Sequence, residues 1–351
     1  MASAPATAPT LPQAVGDALA EADRLAAADR RLEAVALLTE ANRADRHPEI
    51  DRRLVQLRHS AFAELDRSGG LDSWPPDYPD PFPGVQGPPE VGPDDLSPEV
   101  LGGAMVNHGC LLVRGLVREP HLERLVQDID RTFEASARHQ AGAPPEETFP
   151  WFTPFKPDPG FSTGFGRQWV LDGGGVWTVD SPPSMFDLLE AFADVHLDDV
   201  LTGYLGERPA LSVKKSTLRL VPTDTGTDWH QDGAFLGEGI RTVNVWLSLS
   251  DCGVDAPGLD LVPLRLPEVV ETGTGGAAFD WSVGPDTVAA ITEGTTEVVS
   301  PRFAPGDALL FDELFLHRTG VTPGMTRSRY AIESWFFAAS RYPLGQVPIV
   351  F

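Results

Sequence analysis

The segment Asp228-Trp-His-Gln-Asp-Gly-Ala-Phe235 sets a histidine, His230, two residues before an aspartate, Asp232. A neutral imidazole nitrogen and an anionic carboxylate oxygen can share a metal ion when both point the same way, as residues two apart do on an extended chain. The chain holds a second such pair, His196 and Asp198, but its surroundings "SMFDLLEAFADVHLDDVLTGYL" place apolar residues at helical spacing. Positions two apart on a helix face nearly opposite sides, so that pair cannot share an ion. Around His230 the polar turn "PTDTGTD" leads into an extended segment, in which Trp229 and Gln231 face away while His230 and Asp232 converge. A third ligand is expected on a neighbouring strand, and His317 in "GDALLFDELFLHRTG" stands about 85 residues further on. Two histidines and one carboxylate leave positions open on a metal, which suits a non-haem Fe(II) that binds a co-substrate and dioxygen together. A structural polar cluster is the competing reading of the same three residues.

Beyond His317, "TPGMTRSRYAIESWFF" puts Arg327 and Arg329 on one face of a predicted strand. A guanidinium fork there can grip a carboxylate through two parallel hydrogen bonds, although an arginine taken alone is more often a solvated charge.

The elements that must position these groups change character along the chain. From Leu11 to Leu65, Ala, Leu, Arg and Glu recur with apolar residues at helical spacing, and Pro48 suits the first turn of a further helix. Residues 1–66 are read as two or three short antiparallel helices. They form a cap on the main domain or a lone tetratricopeptide-like hairpin whose second face, within 11–65, is open to a protein partner or to self-association. Residues 67–98 are crowded with Pro, Gly and Asp and read as a linker, with Trp74, Tyr78 and Phe82 holding it to a surface. Ser97 and Pro98 open a helix, and "CLLVRGLV" reads as a buried strand.

From residue 99 onward one domain is expected, mainly β with flanking helices (α+β). After residue 209 the segments "LSVKKSTLRLV", "RTVNVWLSLSD", "GLDLVPLRL", "TEVVSPRF", "DALLFDELFLHR" and "RYAIESWFF" read as strands without intervening helices. That pattern argues for a jelly-roll sandwich. The long stretch from Pro144 to Pro183 offers an aromatic lid of Trp151, Phe152, Phe155, Phe161, Phe165 and Trp169, with burial beneath the loop as the alternative. The insertion "ETGTGGAAFDWSVGPDTVAAITEGTTE" is a second candidate wall of the site.

The 351 residues carry a formal net charge of −24, which disfavours phosphate backbones and anionic membranes as partners. Cys110 and Cys252 lack metal or redox spacing and read as reduced buried thiols. No stretch approaches the ~20 apolar residues of a membrane span, and the N-terminus lacks a secretory pattern, so a cytoplasmic protein is expected.

With "HGCLLVRGLV", "WHQDGAF", "VNVWLSLSD", "FAPGDALLFDELFLHRTG" and "RYAIESWFF" in this order, the chain from about Gly109 to Phe337 resembles the phytanoyl-CoA dioxygenase (PhyH-like) family. That family comprises Fe(II)- and 2-oxoglutarate-dependent oxygenases. The resemblance implies a double-stranded β-helix (cupin-like) and gives His230, Asp232 and His317 the metal places. It gives Arg329, assisted by Thr319, the distal carboxylate of 2-oxoglutarate. The loop after His317 is one residue longer than usual, which keeps Arg327 as an alternative, and "APGLDLVPLRLPEVVE" departs from the family's usual strand ending. The implied reaction takes O2 and 2-oxoglutarate to succinate and CO2 while oxidising a small-molecule substrate, in a setting such as specialised-metabolite tailoring. Asp232 favours hydroxylation over halogenation, with desaturation, ring formation and epoxidation left open. The rivals are a cupin-like metalloenzyme that does not use 2-oxoglutarate and an inactive scaffold acting through its N-terminal helices.

Overall fold

The computed structural model describes residues 11–68, 71, 73–164, 166–237, 239–343 and 345–351. Among these residues ten strands follow one another: β1 (Glu90–Val91), β2 (Cys110–Val113), β3 (Gly175–Trp177), β4 (Pro209–Val221), β5 (Thr242–Ser248), β6 (Gly258–Leu261), β7 (Ala308–Phe311), β8 (His317–Gly320), β9 (Arg329–Ala338) and β10 (Pro348–Val350). Eight form a large sheet in the order β1-β2-β7-β5-β9-β4-β10, with β3 also on β4. The long strand β4 pairs with β9 along one edge and shares the other between β10 and β3. The small sheet is β6 on β8, widened by single bridges from His230 to His317 and from Leu261 to Val299.

Along the chain the segments alternate between the sheets: β4 to the large one, His230 to the small, β5 to the large, β6 and Val299 to the small, β7, β8 and β9 in turn. That winding is the double-stranded β-helix, an α+β fold here because helices hold more residues than strands. Both faces of the large sheet are covered, which is why β5 is buried at every position. Val243, Val245 and Leu247 pack outward on the helical layer, and Trp246 packs inward with Phe311 and Trp335.

Two expectations about these strands need correction. "TEVVSPRF" forms no strand, only bridges at Val299 and Phe303, because Pro301 between them lacks the N–H that a ladder needs. The β segments are also not free of helices: short ones at Gly233–Leu236 and Pro285–Thr292 interrupt them.

The N-terminal helices α1 (Gln13–Ala27), α2 (Arg31–Ala44) and α3 (Pro48–Ser60) lie on the main domain. Pro48 occupies the first turn of α3, and His47 caps it by accepting from the Glu49 N–H. Leu38, Ile50, Leu54 and Leu57 are buried with Phe186, Ala210, Ala339 and Val350, so the apolar face is covered from within the chain. Arg43 and Arg46 add ion pairs to Glu190 and Asp187.

In the segment after α3, Trp74, Tyr78 and Phe82 pack on the main core. Ser97 caps the helix Pro98–His108 through the Val100 N–H. Gly109, with φ of 80°, turns that helix into β2. No helix among the described residues is long and apolar enough to cross a membrane.

Candidate metal centre

His230 and His317 face each other as a backbone-bonded antiparallel pair, each N–H donating to the other's carbonyl at 3.0 and 3.1 Å. This register places both side chains on one face, with ring centroids 4.4 Å apart. The extended segment ends sooner than its sequence suggests. Asp232 has helical backbone angles and begins the turn Gly233–Leu236, and this turn swings its carboxylate toward the two rings. Gly233 permits it, since a Cβ there would lie 2.8 Å from Val269 Cγ2 and 3.0 Å from the Glu313 carbonyl. Gln231 points the other way, donating to the Leu314 carbonyl at 2.6 Å and accepting from the Val270 N–H at 2.7 Å. Trp229 is buried in a separate cluster behind the small sheet.

One ligand atom from each of His230, Asp232 and His317 lies within 4.8 Å of the other two, so the three could hold one metal ion. In both histidines Nδ1 donates to a main-chain carbonyl, Asp228 at 2.8 Å and Phe315 at 3.0 Å. A carbonyl can only accept, so the hydrogen sits on Nδ1 and Nε2 keeps its lone pair for a metal. Burial pushes the His317 imidazole down to about 4, with His230 adding to the effect and Asp232 opposing it. Burial works to raise Asp232, but the Lys215 ammonium and the two imidazoles outweigh it and bring the carboxyl to about 2. Neutral imidazole and ionised carboxylate are the forms that bind a metal.

The three side chains sit in a cavity of about 440 Å³ between the sheets. Arg329, the first residue of β9, also lines it, buried among Trp246 and Leu259. Its Nη1 donates to the Gly258 carbonyl at 3.0 Å, while its Nε has no partner and no carboxylate pairs with it among the described residues. Burial pulls its pKa down to about 10, which leaves it charged near neutrality. A buried, charged guanidinium with unspent donors is able to receive an anion from outside the chain. Thr319 lines the same cavity. Arg327 does not: its side chain is 55% exposed and reaches toward Asp251 at 3.7 Å.

The proposed lid is mostly absent from the cavity. Phe152 and Phe155 are core residues, Trp151 lies under the Arg131 guanidinium, and Phe161 packs on His59. The cause is Asp180, whose carbonyl and carboxylate accept from the N–H groups of Thr153 and Phe155 and bind this segment over the helical layer. Of the five that are described, Trp169 alone lines the cavity, and Phe165 lies outside the described residues. The opposite wall comes from Phe235 and from Trp281 of the later insertion.

Sequence reasoning missed Lys214, Lys215, Arg219 and Glu333, all of which line the cavity. A signal was present for the lysines: the doubled polar pair in "LSVKKSTLRLV" breaks strand alternation. The β4–β9 register shifts there, between Leu211 and Ser216. His196 and Asp198 are both exposed, with His196 just before a helix rather than in it.

Residues 210–327 match the family model described as Phytanoyl-CoA dioxygenase (PhyH). The matched stretch holds His230, Asp232, His317 and Thr319, and ends two residues before Arg329. No curated protein matches the chain. Solved structures similar to it include AviO1 from Streptomyces viridochromogenes Tue57, at 18% identity and a TM-score of 0.44 over 69% of this chain and 95% of that one. EctD from S. alaskensis, solved with 2-oxoglutarate and 5-hydroxyectoine, has 16% identity and a TM-score of 0.47, over 76% of this chain and 90% of that one. EvdO2 from Micromonospora carbonacea var. aurantiaca, complexed with 2-oxoglutarate, has 17% identity and a TM-score of 0.44, over 71% and 90%.

Proposed function

We propose, from a chain whose resemblance to the phytanoyl-CoA dioxygenase (PhyH) family holds over residues 210–327, that the protein is an Fe(II)- and 2-oxoglutarate-dependent oxygenase that hydroxylates a small molecule. One observation carries the reading beyond the family match. A His-Asp-His donor set and a lone buried guanidinium open into the same cavity. The first fits a divalent metal with free positions, and the second fits the far carboxylate of a dicarboxylic co-substrate.

In this reading His230, Asp232 and His317 hold iron through two nitrogens and one oxygen. Bound iron and 2-oxoglutarate together supply the oxidising power, through decarboxylation of the co-substrate to succinate with dioxygen. The chain's part is placement. Arg329 fixes the distal carboxylate, and Thr319, lining the same cavity, adds a hydroxyl. Trp246, Phe311 and Trp335 close the inner end of the cavity against water, where a low local dielectric strengthens the Arg329 contact. With Asp232 in a ligand place, the substrate receives oxygen in preference to an exogenous anion.

Turnover of 2-oxoglutarate to succinate under air, with Fe(II) and no added substrate, tests this. Slow succinate formation is expected from the wild-type chain and none from His317→Ala. Succinate formed equally by both would remove His317 from the reaction.

A further inference from the structure

The cavity carries more positive charge than this proposed chemistry uses. Among the described residues four cationic side chains and two carboxylates line it, in a chain whose net charge is −24. Arg219 is spent on Glu333, at 3.1 Å across β4 and β9. Arg329 answers the co-substrate. Lys214 and Lys215 remain, adjacent in sequence and yet both on the cavity wall.

Adjacent residues of a regular strand face opposite sides. Both line one cavity here because the β4–β9 register slips between Leu211 and Ser216, and the irregularity breaks the alternation of faces. Among the described residues Lys214 donates only to the Gly345 carbonyl, at 2.7 Å. Lys215 reaches Asp232 at 2.5 Å and lies 4.6 Å from the centre of the Phe235 ring. Iron at the metal site would engage the charge of Asp232. Glu333, the other carboxylate of the wall, is already held by Arg219 and acts on Lys215 only at longer range. Among the described residues neither ammonium group then keeps a hydrogen-bonded carboxylate in this partly desolvated cleft. Such charge is costly unless something negative arrives to meet it.

Next to the lysines stands an aromatic rim. Trp169 is 70% exposed and Phe235 46%, and Trp281 packs edge-on against Phe235. Phe279 stacks flat on Trp281 and is itself 55% exposed. Large exposed aromatic side chains grouped at one mouth mark a ligand surface more than chance exposure.

We infer that the primary substrate is an organic anion with an apolar, ring-sized body. Its negative group is held by Lys214 and Lys215, and its ring lies between Trp169 and the Phe235–Trp281 wall. The inference rests on the oxygenase reading above, because that reading leaves the two lysines unspent.

Equilibrium dialysis of the full chain with Mn(II) and saturating labelled 2-oxoglutarate tests it. The probes are 2-naphthoate, 2-naphthyl phosphate and neutral 2-naphthamide. At least one anion is expected to bind about tenfold or more tightly than the amide, and the better of the two names the anionic group. The preference is expected to fall to within about twofold in the Lys214→Met, Lys215→Met double variant and to persist in Lys215→Arg, which keeps the charge. Near-ultraviolet circular dichroism checks that each variant is folded.

Equal binding of the three probes, or binding of none, would overturn the inference. So would a preference that survives the double variant, or anion binding seen only when 2-oxoglutarate is left out, since the probe would then be at Arg329. Failure to retain the labelled 2-oxoglutarate would sink the co-substrate reading instead, while the probe preference still decides the role of the lysines.

Discussion

At the residue scale, the site depends on which side chains are left with unspent hydrogen-bonding or ligating capacity. Arg329 is buried with a free Nε, whereas Arg327, two positions earlier, is in solvent beside Asp251. Replacing Arg329 by Met is therefore expected to weaken 2-oxoglutarate binding about 100-fold, or about 3 kcal/mol, by calorimetric titration in the presence of Mn(II). Arg327→Ala is expected to stay within about twofold of wild type, and the opposite ranking would reassign the co-substrate to Arg327. The sequence alone could not choose between them. Both fall on one face of a predicted strand, and the choice depends on β9 beginning only at Arg329. The grouping of His230, Asp232 and His317 was legible earlier because histidine and aspartate carry their chemistry in their type. What was not legible was the helical turn at Asp232, set by Gly233 packing against Val269 and Glu313.

At the element scale, three helices from the start of the described chain complete the outer layer of the large sheet's domain. Leu54 of α3 is almost fully buried beside Phe186 and Val350, so Leu54→Ala is expected to cost about 3 kcal/mol in chemical unfolding without changing 2-oxoglutarate affinity in the folded protein. A cost near zero would mean that α3 does not help to hold the domain.

Nearby, Asp128 of the helix His121–Gln140 is buried. Burial and the adjacent Asp187 carboxylate hold its pKa well above the usual aspartate range, against Arg46 and Arg131. A pKa raised by folding means that the folded state keeps the proton longer than the unfolded chain. The contribution is fully present below the ordinary value of 3.8 and is lost as pH rises through the folded value. Asp128→Asn cannot ionise, so its melting temperature is expected to gain on wild type between pH 4 and pH 8, by roughly 2 °C or more. A constant gap across that range would contradict a raised pKa.

The helical periodicity of these elements was readable from residues such as Leu38 and Leu54. The aromatic stretch from Trp151 was not, because whether an aromatic side chain lines a cavity or fills a core is decided by distant partners. Asp180 is that partner here, and nothing near it in the sequence announces the contact.

At the scale of the whole molecule, the alternation of segments between two sheets brings residues 230, 232, 317 and 329 into one cleft. The order of short strands after residue 209 made this winding readable in advance. The small sheet is thinner than expected, since Pro301 reduces one strand to isolated bridges. A site assembled from both sheets links ligand binding to the stability of the entire barrel. Mn(II) and 2-oxoglutarate together, each at about 100 times its dissociation constant, are expected to raise the melting temperature in wild type and not in His317→Ala. A shift of equal size in both would place the ligands elsewhere.

The central claim, that His230, Asp232 and His317 hold iron beside a bound 2-oxoglutarate, is tested most directly by visible absorption without oxygen. Fe(II) and then 2-oxoglutarate are added to the metal-free protein, with His317→Ala as the control. A weak charge-transfer band that requires both additions and is missing from the variant is the expected result. Iron binding with no band on adding 2-oxoglutarate, or the same band in the variant, would contradict it.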